Sequence, residues 1–151
     1  MGTLVSITLA FAIGAALSLQ PPINTVMART VGNPLLASSI SIAISLAFVI
    51  TVWLAFSRGA GDLSRLTLLP WWVTLGGVIG VFFVLGGVTI SREMGIALFF
   101  VCVVAGQLVG STLVDQFGAF GSPQKPITML KLAGIALVLL GAALVRTSGS
   151  E

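Results

Sequence analysis

Long stretches without a single charged side chain dominate this sequence, and they restrict its fold more than any other feature. Residues 1–28, 30–57, 66–91 and 94–114 contain no Asp, Glu, Lys or Arg, and 127–145 contains only Lys131, near one end. A helix needs about 20 mainly apolar residues to cross a hydrocarbon core of about 30 Å, and all five runs reach that length. A soluble helix would show a polar stripe, which these runs lack. Open strands would leave edge groups unpaired in lipid, and barrel strands would alternate in polarity over about ten residues. The expected fold is therefore an all-α integral membrane protein. Its five transmembrane helices are expected at about 3–28, 34–57, 70–90, 94–114 and 127–146, in a single domain over 1–151.

Composition agrees. Hydrophobic residues make up 57% of the chain and charged residues 7%, whereas a soluble domain carries about a quarter charged residues to keep its surface solvated. There is no His, and the one Cys, Cys102, lies inside an apolar run. A histidine relay, a His-based metal site, a thiolate metal cluster and an internal disulfide are thereby excluded, and no cofactor is expected. The seven basic residues are scattered singly and form no patch for nucleic acid. No nucleophile–base pair or phosphate loop suggests an enzyme. The first run lacks the positive n-region of a signal peptide and reads as a retained helix.

The connections are expected to be short. Residues 29–33 lead into Pro34, a helix-start position. Residues 58–70 form the longest loop, with Arg58, Asp62 and Arg65. Ser91, Arg92 and Glu93 read as a tight link, and 116–126 is rich in Gly and Pro. Trp71 and Trp72 stand at a span entrance, where Trp anchors at the headgroups; a stacking wall for a substrate is the other reading.

Five spans put the termini on opposite sides. Arg58, Arg65, Lys125 and Lys131 fall on one side, and Arg29, Arg92 and Arg146 on the other. Because an excess of basic residues normally marks the cytoplasmic side, four against three hardly sets an orientation. Either the N-terminus is inside, or copies insert both ways and pair as an antiparallel dimer. Many transporters use two inverted halves around a midplane site, and this chain, with no internal repeat, supplies one half. Gly76-x-x-x-Gly80, Gly106-x-x-x-Gly110 and the pair Gly134 and Gly141 suggest close helix packing within a compact bundle.

Polar groups inside a span are costly and mark candidate sites. In the first span Pro21 and Pro22 remove two backbone donors and disfavour the α conformation before them, so the helix should break near Gln20. Gln20 and Asn24 then share a face, lining a cavity or, if the span ends at Leu19, an interfacial loop. In the fourth span Gln107, Ser111 and Asp115 recur at spacings of four. Asp115 reads either as a coupling or gating acid facing a cavity, or as a headgroup-level cap of the loop that follows. Lys131 is expected to snorkel to the headgroups.

The pattern Gly14…Gln20-Pro21-Pro22-Ile23-Asn24-Thr25…Gly32-Asn33-Pro34 resembles the start of the bacterial YdcZ-type family. Gly106-Gln107-Leu108…Asp115-Gln116-Phe117-Gly118-Ala119-Phe120-Gly121, with Gly134 and Gly141 after it, is similar to that family's second half. The resemblance implies a drug/metabolite-transporter-like half in the bacterial inner membrane. Such a half would pair with a second copy or with an inverted paralogue. The acid that small multidrug exporters place in their first helix has no match here. The expected activity is transport of a small polar metabolite by alternating access, with Gln20, Asn24, Gln107 and Ser111 lining the path and Asp115 as coupling or gating acid. The other reading is a non-transporting subunit that stabilises a partner membrane protein.

Overall fold

The computed structural model describes residues 2–57 and 60–148; Arg58 and the tail after Ser148 lie outside them. Among the described residues the regular structure is entirely helical. Five helical stretches are long and apolar enough to cross a membrane: Thr3–Val31, Pro34–Ser57, Trp71–Met94, Ile96–Phe117 and Met129–Thr147. The all-α membrane architecture read from the sequence is the one found.

The first stretch is two helices, α1 (Thr3–Leu17) and α2 (Gln20–Val31), bent at Ser18 and Leu19. The prolines do not sit in unwound chain. They occupy the first turn of α2, where a helix has no use for their missing N–H groups. Their rings would collide with carbonyls four residues earlier, so the break falls on the residues just before them. Across it Leu19 N–H turns back to Ala16 O at 3.1 Å, and Ile23 N–H bonds Leu19 O at 3.2 Å. Gly32 ends α2 in the left-handed region at φ 73°. Asn33 then caps α3 (Pro34–Ser57), its Oδ1 accepting from Leu35 N–H at 2.8 Å and Leu36 N–H at 3.1 Å.

The expected 58–70 loop contains a 3-10 helix, Leu63–Leu68, and a second, Trp71–Thr74, leads into α4 (Leu75–Met94). Asp62 caps the first of these. The Ser64 hydroxyl, then the Ser64 amide, hold its carboxyl below the usual carboxylate range, and Arg65 Nε lies 3.0 Å away. Ser91, Arg92 and Glu93 are not a link, because α4 continues through them to Met94. Charged side chains signal departure from the bilayer but do not stop a helix. Gly95, at φ 86°, does, and α5 (Ile96–Phe117) begins immediately after it. Gly118 ends α5 at φ 59°, and α6 (Met129–Ser148) follows a short extended stretch.

The helices form two compact units, Met1–Glu93 and Met94–Glu151. In the first, Ala28 of α2, Ala37 of α3 and Val88 of α4 form a buried cluster with Met27 against it. The small side chains of Ala28 and Ala37 let α2 and α3 approach closely, which is how membrane helices associate without a hydrophobic drive, and Val88 of α4 closes the cluster. No residue of α1 is buried. In the second unit α5 packs along α6. The glycine pairs do not mark close crossings. A methyl group added at Gly76, Gly80, Gly106, Gly110, Gly134 or Gly141 would meet nothing within 4 Å. Small residues allow a close approach but do not compel one, so the tight packing expected of these pairs is not present among the described residues.

Candidate functional site

Hydroxyls inside a span need a partner, and most here find it in their own helix. Thr8, Thr30, Ser39, Ser45, Thr51 and Thr89 each donate to the carbonyl four residues earlier, at distances of 2.8–3.1 Å. Such back-bonding satisfies the hydroxyl and leaves little for a ligand to recognise. The residues that stand apart are therefore those with no such bond.

Gln20 and Asn24 are two of them. Both lie on the face of α2 that lines a groove of about 440 Å³. The end of α1 forms one wall, with Ala16 and Leu17. On the α3 side the groove is bordered by Ser41, Ile44 and Ser45. The bend at Ser18 and Leu19 shapes the groove, since it turns α2 away from the line of α1 just where Gln20 begins the new helix. Asn24 is only 3% exposed, yet neither atom of its carboxamide is hydrogen-bonded among the described residues. The groove is mostly apolar, with its polar side chains confined to these two amides and two serines. Sequence reasoning missed Ser41 and Ser45. Their spacing of four on α3 was the available signal, masked by the ordinariness of serine in a helix.

A second groove, of about 380 Å³, lies between α3 and α4 and is lined by Ser38, Ser39, Ile42, Leu46 and Val81. Ser38 Oγ is buried there without a partner among the described residues.

Gln107, Ser111 and Asp115 belong to the second unit. Gln107 and Ser111 are exposed on α5, and the Ser111 hydroxyl donates to Leu108 O at 3.2 Å. Asp115 is not a lone acid. Lys131 Nζ, near the start of α6, donates to its Oδ2 at 2.8 Å, with both side chains about one-third exposed. Lys131 thus reaches back to α5. It can do so because the chain between the helices is tightly tied. Gln116 Oε1 accepts from Ile127 N–H at 2.7 Å, Gln116 O accepts from Gln124 Nε2 at 2.9 Å, and Lys125 N–H donates to Asp115 O at 2.7 Å. Gln116, adjacent to the expected acid, organises the turn, while the left-handed Gly118, Phe120 and Gly121 reverse its direction.

The family described as "Putative inner membrane exporter, YdcZ" matches residues 5–144. The inner membrane protein YdcZ of Escherichia coli (strain K12) is 31% identical over 145 residues, covering 93% of this chain and 95% of that protein. No solved structure matches.

Proposed function

Since the chain belongs to the YdcZ family of inner membrane transporters, we propose that it moves a small polar metabolite by alternating access as a dimer of five-helix protomers, arranged antiparallel. The observation that carries this reading is the groove at the bend of the first span. It presents Gln20 and a buried, unbonded Asn24 within the first stretch long and apolar enough to span a membrane. A free amide facing lipid is costly, so polar groups in this position favour a substrate path. In the second unit, Gln107 and Ser111 are the candidate hydrogen-bonding groups for substrate. Neutral side chains suit a neutral or zwitterionic solute better than a bulky cation. Asp115 acts as the coupling or gating acid by exchanging Lys131 for another partner as the protein changes conformation.

An odd number of spans and near-balanced basic residues support pairing of inverted copies, either of this chain or of it with an inverted paralogue. The glycine faces on α4, α5 and α6 that meet nothing within 4 Å are surfaces on which a second copy can pack closely.

Reconstitution in liposomes tests the transport reading. A panel of labelled metabolites should include at least one that is accumulated or released saturably, and Gln107→Leu and Asn24→Leu should each abolish that flux without loss of folded protein. Wild-type flux in both variants would remove the path from these residues. If no solute moves and a second membrane protein always co-purifies, the chain is a stabilising subunit. Cysteines placed in the 60–70 segment test the arrangement; labelling from the cytoplasmic face alone excludes inverted copies.

A further inference from the structure

Resting on the transport reading of the α1–α3 groove, we infer that this groove binds an uncharged molecule with a carboxamide, lactam or ureido edge on an apolar body, and that Asn24 reads that edge. The volume, about 440 Å³, falls within the range of small-molecule sites. Four side chains supply its polar lining: Gln20, Asn24, Ser41 and Ser45. The Ser45 hydroxyl is committed to Ser41 O at 3.1 Å, which leaves the two amides and the Ser41 hydroxyl.

Charge is excluded by the surroundings. No titratable group lines the groove. Arg29 is the one charged side chain in residues 1–57, and it stands exposed in the last turn of α2, beyond the groove. An ion bound beside Asn24 would lose its hydration with no counter-charge in return, and that loss is large in a low-dielectric site. An uncharged ligand carries no such cost.

The amide sets the shape of the recognised group. A carboxamide offers one acceptor oxygen and a donor nitrogen side by side in a plane. Asn24 is 3% exposed and has no hydrogen-bond partner among the described residues, so both functions are unmet. A ligand edge that donates and accepts side by side satisfies both at once. A hydroxyl or an ether satisfies one and leaves the other buried and unpaired, which is the costly outcome. Ile23, Met27 and Ile44 then cover the apolar remainder of the molecule.

The test uses the full chain in lipid nanodiscs and three probes of similar size on one phenyl ring: benzamide, benzoate and benzylammonium. Equilibrium dialysis at neutral pH, with empty nanodiscs subtracting simple partition, measures saturable binding. Benzamide should bind saturably and each ion at least roughly tenfold more weakly, and Asn24→Leu should weaken benzamide by roughly tenfold. Asn24→Asp, which keeps the size of the side chain, should reverse the preference toward benzylammonium. Equal binding of all three probes, no saturable benzamide binding, or unchanged benzamide binding in both variants overturns the inference. Loss of transport in liposomes with benzamide binding intact would instead overturn the transport reading and leave this one standing. Saturable transport of ions alone would do the reverse.

Discussion

Replacing Gly118 with alanine should destabilise the protein more than the same change at Gly32, and the difference isolates the geometry of the α5–α6 turn. Both glycines terminate a helix in the left-handed region, at φ 59° and 73°. For an L-residue that conformation costs roughly 1–2 kcal/mol, a term common to both sites. The gain from a less flexible unfolded chain is also common to both and cancels in the comparison. Their surroundings differ. At Gly32 an added methyl meets nothing within 4 Å, whereas at Gly118 it would stand 3.1 Å from Ser122 O and 3.4 Å from Gln124 Cβ. The obstructing oxygen is backbone, in a segment held by Ser122 N–H to Ala119 O, by Gln124 to Gln116 and by Lys125 N–H to Asp115 O. Relief requires that one of these bonds lengthen, a loss of about 1 kcal/mol. Gly118→Ala should therefore cost about 2–3 kcal/mol and Gly32→Ala about 1–2 kcal/mol. Reversible unfolding in mixed micelles, followed by helical circular dichroism as the denaturing detergent fraction rises, measures both. Equal costs, or a milder effect at Gly118, would refute the turn geometry.

Three further outcomes follow from the bonds described. Asp115→Asn should reduce both flux and resistance to unfolding, because it leaves the Lys131 ammonium without its carboxylate; Asp115→Asn combined with Lys131→Met should recover part of the stability but not the flux, as measured in micelles and liposomes. Pro21→Ala with Pro22→Ala should straighten the first span, so that spin labels at positions 8 and 30 move apart toward about 33 Å, the length of a continuous helix, in pulsed dipolar measurements. The folded-state pKa of Asp62 is depressed by its Ser64 bonds, so its cap is fully present above the ordinary value of 3.8 and is lost as pH falls through the lower folded value; the Ser64 amide resonance should report that titration below pH 3.8, and a midpoint at or above 3.8 would contradict the cap.

Helices were legible because charge punctuates this chain so sharply, and apolar runs of this length have few alternatives in lipid. Their ends were less legible. Arg92 and Glu93 gave the appearance of a loop, yet the stop belongs to Gly95, whose positive φ is a property of backbone and not of polarity. Proline predicted the break in the first span to within two residues, because its steric effect acts on a fixed neighbour. In the groove, Gln20 and Asn24 were visible as amides where amides are expensive. Ser41 and Ser45 were not, since a serine that bonds its own helix looks the same in sequence as one that faces a cavity. The Asp115–Lys131 pair was beyond reach for a different reason. Sixteen residues separate its members, and their meeting depends on a turn set by the Gln116 side chain and three left-handed residues.

The bend between α1 and α2 also makes the protein answerable to the thickness of its membrane. From Thr3 to Val31 the first span follows 29 residues, a path of about 43 Å at 1.5 Å per residue, against about 30 Å of hydrocarbon. A rigid rod of that length would have to lean as a whole or deform the lipid around it. A jointed one can keep α1 upright and take up the surplus by laying α2 over. The same two segments are walls of the groove, so a change in their angle with bilayer thickness should change the groove's width. Substrate affinity should then vary with acyl-chain length across a homologous series of phosphatidylcholines.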